Sequence, residues 1–271
     1  MIPRRDVRAR LASRHELSPT CFALELSSAT PFEAVPGQFG MLACGCDLDP
    51  FLRRPFSFAG VRAHDTGTTI EIIVKEVGKG SRALRHLAPG NELSLLAPLG
   101  KGFSLEPSGG APWALVAGGI GLPPVLFAAE VLARRGVTFD VFVGASTADE
   151  LLLVERCGAA ASAGGGEAVL TTDDGSRGER GLVTAALARR LAAGRRYGKV
   201  LGCGPTLMLA ALTQLAREER VEAEISLEEP MACGVGVCLG CVVESAAGRR
   251  VATCREGPVF RVAELAERWW A

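Results

Sequence analysis

The chain has 271 residues, 48% of them hydrophobic, with Lys+Arg and Asp+Glu both at 30. That length and apolar content suit two packed domains plus a small module, and they exclude wholesale disorder. A net charge of zero gives no electrostatic ground for a nucleic-acid or anionic-membrane partner.

Met1-Ile2-Pro3-Arg4-Arg5-Asp6 is charged and leads into no apolar stretch, so no secretory leader is expected. Short β-rich runs punctuated by Gly and Pro follow, at residues 21–26, 38–42, 70–74 and 92–96. They predict a small antiparallel barrel over residues 1–105, interrupted by one helix at 81–87 with Ser81 as its cap. Glu106-Pro107-Ser108-Gly109-Gly110-Ala111-Pro112 reads as a linker.

Strands and helices then alternate. Strands are predicted at 114–117, 139–143, 168–171, 199–201 and 221–226, and helices at 123–135, 148–156, 182–191 and 206–218. This is the pattern of a doubly wound parallel sheet of five strands over residues 106–226. Between Trp113 and Ala133 the only charge is Glu130, but Gly118-Gly119 and Pro123-Pro124 interrupt the run, so it reads as strand, turn and buried helix rather than a membrane span. A soluble, cytoplasmic protein is expected. Residues 227–271 are too few and too glycine-rich to bury much core, so a metal centre is expected to stabilise them.

Nine cysteines are present. Cys21, Cys44, Cys46, Cys157 and Cys203 are scattered, whereas Cys233, Cys238, Cys241 and Cys254 cluster with four, two and twelve residues between them. A C-x4-C-x2-C run with a distant fourth cysteine is the ligand spacing of a plant-type [2Fe-2S] cluster. Glycines at 234, 236 and 240 allow tight wrapping and bring N–H donors towards sulfur. Structural zinc fits less well, because zinc sites pair two C-x2-C knuckles and only one is present.

Two strand ends in the second domain are glycine-rich. Gly118-Gly119-Ile120-Gly121-Leu122-Pro123 leads from strand to helix, where backbone N–H groups and the helix dipole favour a diphosphate. It departs from the usual G-x-G-x-x-G order, and a plain tight turn is the alternative. Cys203-Gly204-Pro205 ends the fourth strand, where ligands bind in open α/β sheets; Cys203 stands either as a packed side chain or beside a nicotinamide. In the barrel, Arg53-Arg54-Pro55-Phe56-Ser57 and Gly78-Lys79-Gly80-Ser81 offer cations and a helix start for phosphates. None of His15, His64 and His86 falls in a motif, so no role in proton transfer is assigned to them. Trp269-Trp270 reads equally as part of a partner interface or as packing on the chain's own surface.

With these residues in view, the chain resembles the ferredoxin–NADP reductase superfamily. Arg54-Pro55-Phe56-Ser57 is similar to its flavin motif, residues 118–123 to its glycine loop, and Cys203-Gly204-Pro205 to its nicotinamide turn. The cysteine module, with Glu228-Glu229-Pro230-Met231-Ala232 before it and Gly257-Pro258-Val259-Phe260 after it, narrows the likeness to electron-transfer subunits of NAD-linked dihydroorotate dehydrogenases, as do Arg53 and Thr172-Asp173-Asp174-Gly175-Ser176. Lys75 stands where arginine is common, Phe56 lacks a tyrosine hydroxyl, and Ser81 replaces a common threonine. Subunits of sulfide dehydrogenases or ferredoxin:NADP oxidoreductases share much of the pattern.

The resemblance implies FAD held by Arg54, Pro55, Phe56, Ser57, Ile73, Val74, Lys75, Gly80 and Ser81. It implies NAD at Gly118, Gly119, Gly121, Pro123, Cys203, Gly204 and Pro205, and a [2Fe-2S] cluster on the four clustered cysteines. It implies an oxidoreductase subunit of pyrimidine biosynthesis that pairs with an FMN-containing catalytic subunit in a heterotetramer. A non-enzymatic redox sensor is the contrasting class, against which the two nicotinamide-site turns argue, and a self-contained reductase acting on a soluble carrier is a third.

Overall fold

A computed structural model describes residues 5–45, 49–106 and 110–270. Cys46 and the linker residues Pro107, Ser108 and Gly109 lie outside the described residues.

The first part is a closed six-stranded antiparallel barrel. Its strands are β1 (Arg5–Ser18), β2 (Cys21–Ser28), β3 (Phe39–Leu42), β4 (Arg54–His64), β5 (Gly67–Lys75) and β6 (Glu92–Leu99), in the order β1-β2-β5-β4-β3-β6. Leu24, Leu26, Phe58, Ile70, Ile72 and Val74 fill its interior. Strands β1 and β4 escape the alternation reading: β1 is charge-rich, and β4 begins with half-buried residues that face the cleft described below.

Helix α1 (Lys79–Arg85) follows β5. Its cap is Gly78, not Ser81. Ser81 sits inside the first turn and reaches back: its Oγ accepts the N–H groups of Val77 (2.9 Å) and Gly78 (3.1 Å).

The second part is a seven-stranded sheet rather than one of five. Strands β7 (Trp113–Gly118), β8 (Phe139–Ala145), β9 (Ala168–Thr172), β11 (Lys199–Cys203) and β12 (Glu222–Ser226) are parallel. Two short edge strands are added, β10 (Glu179–Arg180) beside β9 and β15 (Val259–Arg261) antiparallel to β12. Helices α2 (Leu122–Arg134), α3 (Val154–Ala163), α4 (Val183–Ala192) and α5 (Thr206–Glu218) complete the crossovers. The prolines of α2 lie in its first turn, where their missing N–H groups cost no helical bond.

The helix expected at 148–156 is not there. A single turn of 3-10 helix at Ala148–Glu150 gives way to extended chain, and α3 starts only after Leu153, whose φ of 50° breaks the path. Leu151 and Leu152 are thereby buried in the core instead of following a helical stripe.

The C-terminal segment does not stand alone. Hairpin strands β13 (Val242–Glu244) and β14 (Arg250–Ala252), a short helix α6 (Thr253–Glu256) and β15 make it up. Strand β15 belongs to the sheet, while Cys241, Ala252 and Cys254 pack on Phe39, Met41 and Leu99 of the barrel. Trp269 and Trp270 fold back onto α5: Trp269 is buried, its Nε1 lies 3.4 Å from Thr213 Oγ1, and Arg217 donates to carbonyls of Leu265, Ala266 and Glu267. The pair therefore packs on the chain's own surface. Among the described residues no helix is long and apolar enough to cross a membrane.

Candidate functional site

One cleft of about 400 Å³ opens where the three parts meet. The barrel contributes Arg54, Pro55, Phe56 and Ser57 from β4, Ile73 and Lys75 from β5, and Val77 to Ser81 around the start of α1. The sheet contributes Ile120, Gly121, Pro123 and Cys203 from the ends of β7 and β11. Glu228, Glu229 and Met231 from the approach to the cysteine loop close the third side. Motifs more than a hundred residues apart thus share one wall-to-wall space.

Val74 is the exception on β5. Strand side chains alternate, so Ile73 and Lys75 turn to the cleft while Val74 lies in the barrel core. Gly118, Gly119, Gly204 and Pro205 are not among the lining residues; they belong to the two turns that carry Gly121 and Cys203.

The two arginines have different work. Arg53 donates to Ser94 Oγ (2.8 Å), to both oxygens of Asp6 and to the Met41 carbonyl, tying β6, β1 and β3 together. Arg54 turns into the cleft and crosses Gly80: a Cβ on Gly80 would sit 3.1 Å from Arg54 Cγ. Gly80 thus lets the guanidinium lie against the opening of α1, and Arg54 and the neighbouring N–H groups present positive charge on one side of the cleft.

The two glycine turns of the sheet are pressed together. A Cβ on Gly118 would lie 2.5 Å from Met208 Sδ, and one on Gly204 3.0 Å from the Gly118 nitrogen. Gly119 differs: its φ is +49° and nothing stands within 4 Å of where its Cβ would be. It is the member of the loop with open space before it.

Cys203 is buried at the end of β11. Burial, with Glu228 nearby, pushes its thiol up to about 12, so it is a neutral group beside the cleft and not a thiolate. Glu229 is likewise raised by burial and by Glu228. Glu228 and Glu229 entered the reading of the sequence as part of the stretch that narrows the likeness and were not assigned to a site; the cleft adds them to it.

Ion pairs hold the cleft's two halves in register. Arg156 of α3 reaches Glu71 of β5 with two bonds (2.7 and 3.0 Å) and Glu130 of α2 (2.8 Å), and Lys75 meets Glu150 (3.3 Å). His15, His64 and His86 are exposed and do not line the cleft.

The four cysteines divide by burial: Cys233 and Cys238 lie on the outer side of the loop, and Cys241 and Cys254 are buried against the barrel. Cys233 Sγ accepts N–H groups of Val235 (3.4 Å) and Cys238 (3.5 Å). Burial raises its pKa, but these donors outweigh it and lower the thiol to about 6. Among the described residues no three such side chains converge as for a single ion. Four cysteines at this spacing, with two amides donating to Cys233 Sγ, fit a binuclear iron–sulfur group, which they would hold. Thr253 Oγ1, next to Cys254, is buried without a protein acceptor, a donor that a sulfur-rich group would satisfy.

A barrel and a parallel sheet that share one cleft, with a cysteine module docked on both, define a flavin- and dinucleotide-type oxidoreductase with an iron–sulfur module. The family described as the iron–sulfur cluster binding domain of dihydroorotate dehydrogenase B matches residues 228–266. Relatives named dihydroorotate dehydrogenase B (NAD(+)), electron transfer subunit, match along nearly the whole chain. That of Desulforamulus reducens is 34% identical over 93% of this chain and 95% of its own. That of Bacillus caldolyticus is 36% identical over 95% and 97%. A solved structure of an NADH-dependent reduced ferredoxin-NADP oxidoreductase superposes with a TM-score of 0.83 at 27% identity, over 96% of this chain and 90% of that one. An Amycolatopsis cytochrome P450 reductase shares the fold at a TM-score of 0.68 and 24% identity, over 81% of this chain and 68% of its own. The chain belongs to the family of electron transfer subunits of dihydroorotate dehydrogenase B.

Proposed function

We propose that this chain carries electrons from an FMN-containing dihydroorotate dehydrogenase subunit, through a [2Fe-2S] cluster and FAD, to NAD+ in cytoplasmic pyrimidine biosynthesis. The observation that carries the reading is the single cleft onto which the barrel, the sheet and the cysteine module all open. A heterotetramer with the catalytic subunit is the assembly proposed. Relatives at 34% to 38% identity favour this reading over a ferredoxin:NADP oxidoreductase subunit, whose solved representative is 27% identical.

Residues 1–105 act as the flavin domain, 106–226 as the dinucleotide domain and 227–271 as the cluster module. Arg54 and the Gly80-Ser81 turn hold the flavin diphosphate, while Ser57, Ile73 and Lys75 line the ring. The peptide of Val74 belongs to the same strand wall. Gly119 lets a dinucleotide diphosphate approach the backbone ahead of α2, and Gly118, Gly121 and Pro123 shape that turn. Cys203, Gly204 and Pro205 set where a nicotinamide meets the flavin, with Cys203 as a neutral, space-filling neighbour. Cys233, Cys238, Cys241 and Cys254 hold the cluster. When bound, the flavin exchanges a hydride with the nicotinamide and single electrons with the cluster. The protein contributes position, water exclusion and charge.

The test is steady-state oxidation of NADH by the isolated chain with an artificial acceptor. Turnover with flavin and iron bound supports the reading; bound cofactors without turnover would favour a sensor.

A further inference from the structure

The residue after the last clustered cysteine lies over the loop that carries the first two. Gly236, midway between Cys233 and Cys238, has a φ of +83°, and a Cβ there would come 3.0 Å from Arg255 Cδ and 3.2 Å from Arg255 Cβ. The arginine stem therefore rests on the glycine, and the guanidinium begins one bond beyond the contact. Arg255 thus joins the residue after Cys254 to the turn between Cys233 and Cys238.

Among the described residues the guanidinium meets one carboxylate, Glu256, at 3.9 Å, and with 64% and 40% of the two side chains exposed this is a long, solvated pair. Glu256 also accepts the Ala252 N–H (3.1 Å), which ties that carboxylate to the start of α6. A side chain held by its stem, with only a long and exposed ion pair at its head, keeps its charge beside the cysteine loop.

We infer that Arg255 is a positioning residue for the cluster: its stem clamps the Gly236 turn, and its charge favours the reduced state. The inference rests on the iron–sulfur reading of the four cysteines. A tetrathiolate [2Fe-2S] group is already anionic when oxidised and gains one more negative charge on reduction, so a neighbouring cation stabilises the reduced form more. Exposure to water limits the effect to a threefold to tenfold change in the oxidised-to-reduced ratio, tenfold being about 59 mV for one electron.

The test is a redox titration of the whole chain followed by electron paramagnetic resonance, with iron and sulfide measured on each sample. Arg255→Gln and Arg255→Met, which keep an apolar stem on Gly236, should lower the midpoint at full iron content, and Arg255→Lys should restore it. Equal midpoints for wild type and both neutral variants would overturn the inference, as would an equal fall in Arg255→Lys. Should the neutral variants lose iron, retention in Arg255→Lys would support a charge acting on the cluster, and loss in all three would overturn it. Absence of iron and sulfide from wild type would instead count against the cluster reading itself.

Discussion

A Cβ placed on Gly121 would lie 2.4 Å from both the carbonyl carbon and the carbonyl oxygen of Cys203. The turn after β7 and the turn after β11 therefore meet backbone on backbone, and both Gly121 and Cys203 line the cleft.

Gly121→Ala should cost about 1–3 kcal/mol of stability, because rigid backbone and not a flexible side chain stands in the way. Gly119→Val should act differently. Space is open there, but the +49° φ costs a side chain about 1–2 kcal/mol, and the new bulk faces the proposed diphosphate. Thermal melts and NADH titrations check both: each variant should bind NADH more weakly and keep its flavin. A Gly119→Val protein that loses FAD and keeps NADH affinity would contradict the assignment of the two sites.

Replacing each member of the arginine doublet should separate structure from binding. Arg54→Ala should lower FAD occupancy with little change in the melting temperature of the apoprotein. Arg53→Ala should lower that temperature, since its bonds to Asp6, Ser94 and the Met41 carbonyl tie three barrel strands, at about 1–3 kcal/mol. Flavin content per folded molecule should stay near wild type. Absorbance at the flavin band against protein concentration reads the first effect, and calorimetry the second.

The Cys203 thiol gives a signed pH prediction. Burial raises it from 9.0 to about 12, so the unfolded chain releases this proton first as pH rises. Its contribution to stability is complete below pH 9.0 and is lost on rising towards about 12. The urea midpoint of wild type relative to Cys203→Ala should accordingly fall as pH goes from about 8 to about 10.5. NADH oxidation should show no thiolate inflection near neutral pH, and a rise of the wild-type midpoint relative to Cys203→Ala in alkali would contradict the neutral-thiol assignment.

Much of this site was legible before the fold. The cysteine spacing, the two glycine turns and the Arg54–Ser57 strand are local patterns whose chemistry demands particular residues at particular intervals. What the chain pattern hid was geometry between distant segments. Helix 148–156 failed because Leu153 takes a left-handed turn and Leu151 and Leu152 fill the core, a tertiary gain that outweighs local propensity. Strand β15 is three residues long, too short to carry a period, and becomes a strand only by pairing with β12. Nothing in the sequence linked Arg156, Glu71 and Glu130, which only the packing of α3 brings together. Trp269 needed Thr213 and α5 beside it before its surface could be assigned.

Serine replacement of Cys233, Cys238, Cys241 or Cys254 should each reduce iron and acid-labile sulfide in anaerobically prepared protein. Cys157→Ser is the control, since Cys157 is wholly buried in the sheet domain's core and its thiol is pushed up to about 12 by burial. Zinc in place of iron, or equal metal loss in the control, would break the ligand assignment.

The most direct test of the central claim is dihydroorotate-dependent reduction of NAD+, followed as NADH absorbance, by this chain mixed with the FMN-containing catalytic subunit from the same genome. The chain alone should oxidise NADH with an artificial acceptor and show no activity on dihydroorotate. The mixture should form a stable complex that produces NADH, and Cys238→Ser should abolish that production while leaving NADH oxidation through the flavin largely intact. No complex and no NADH, with both proteins carrying their cofactors, would contradict the account.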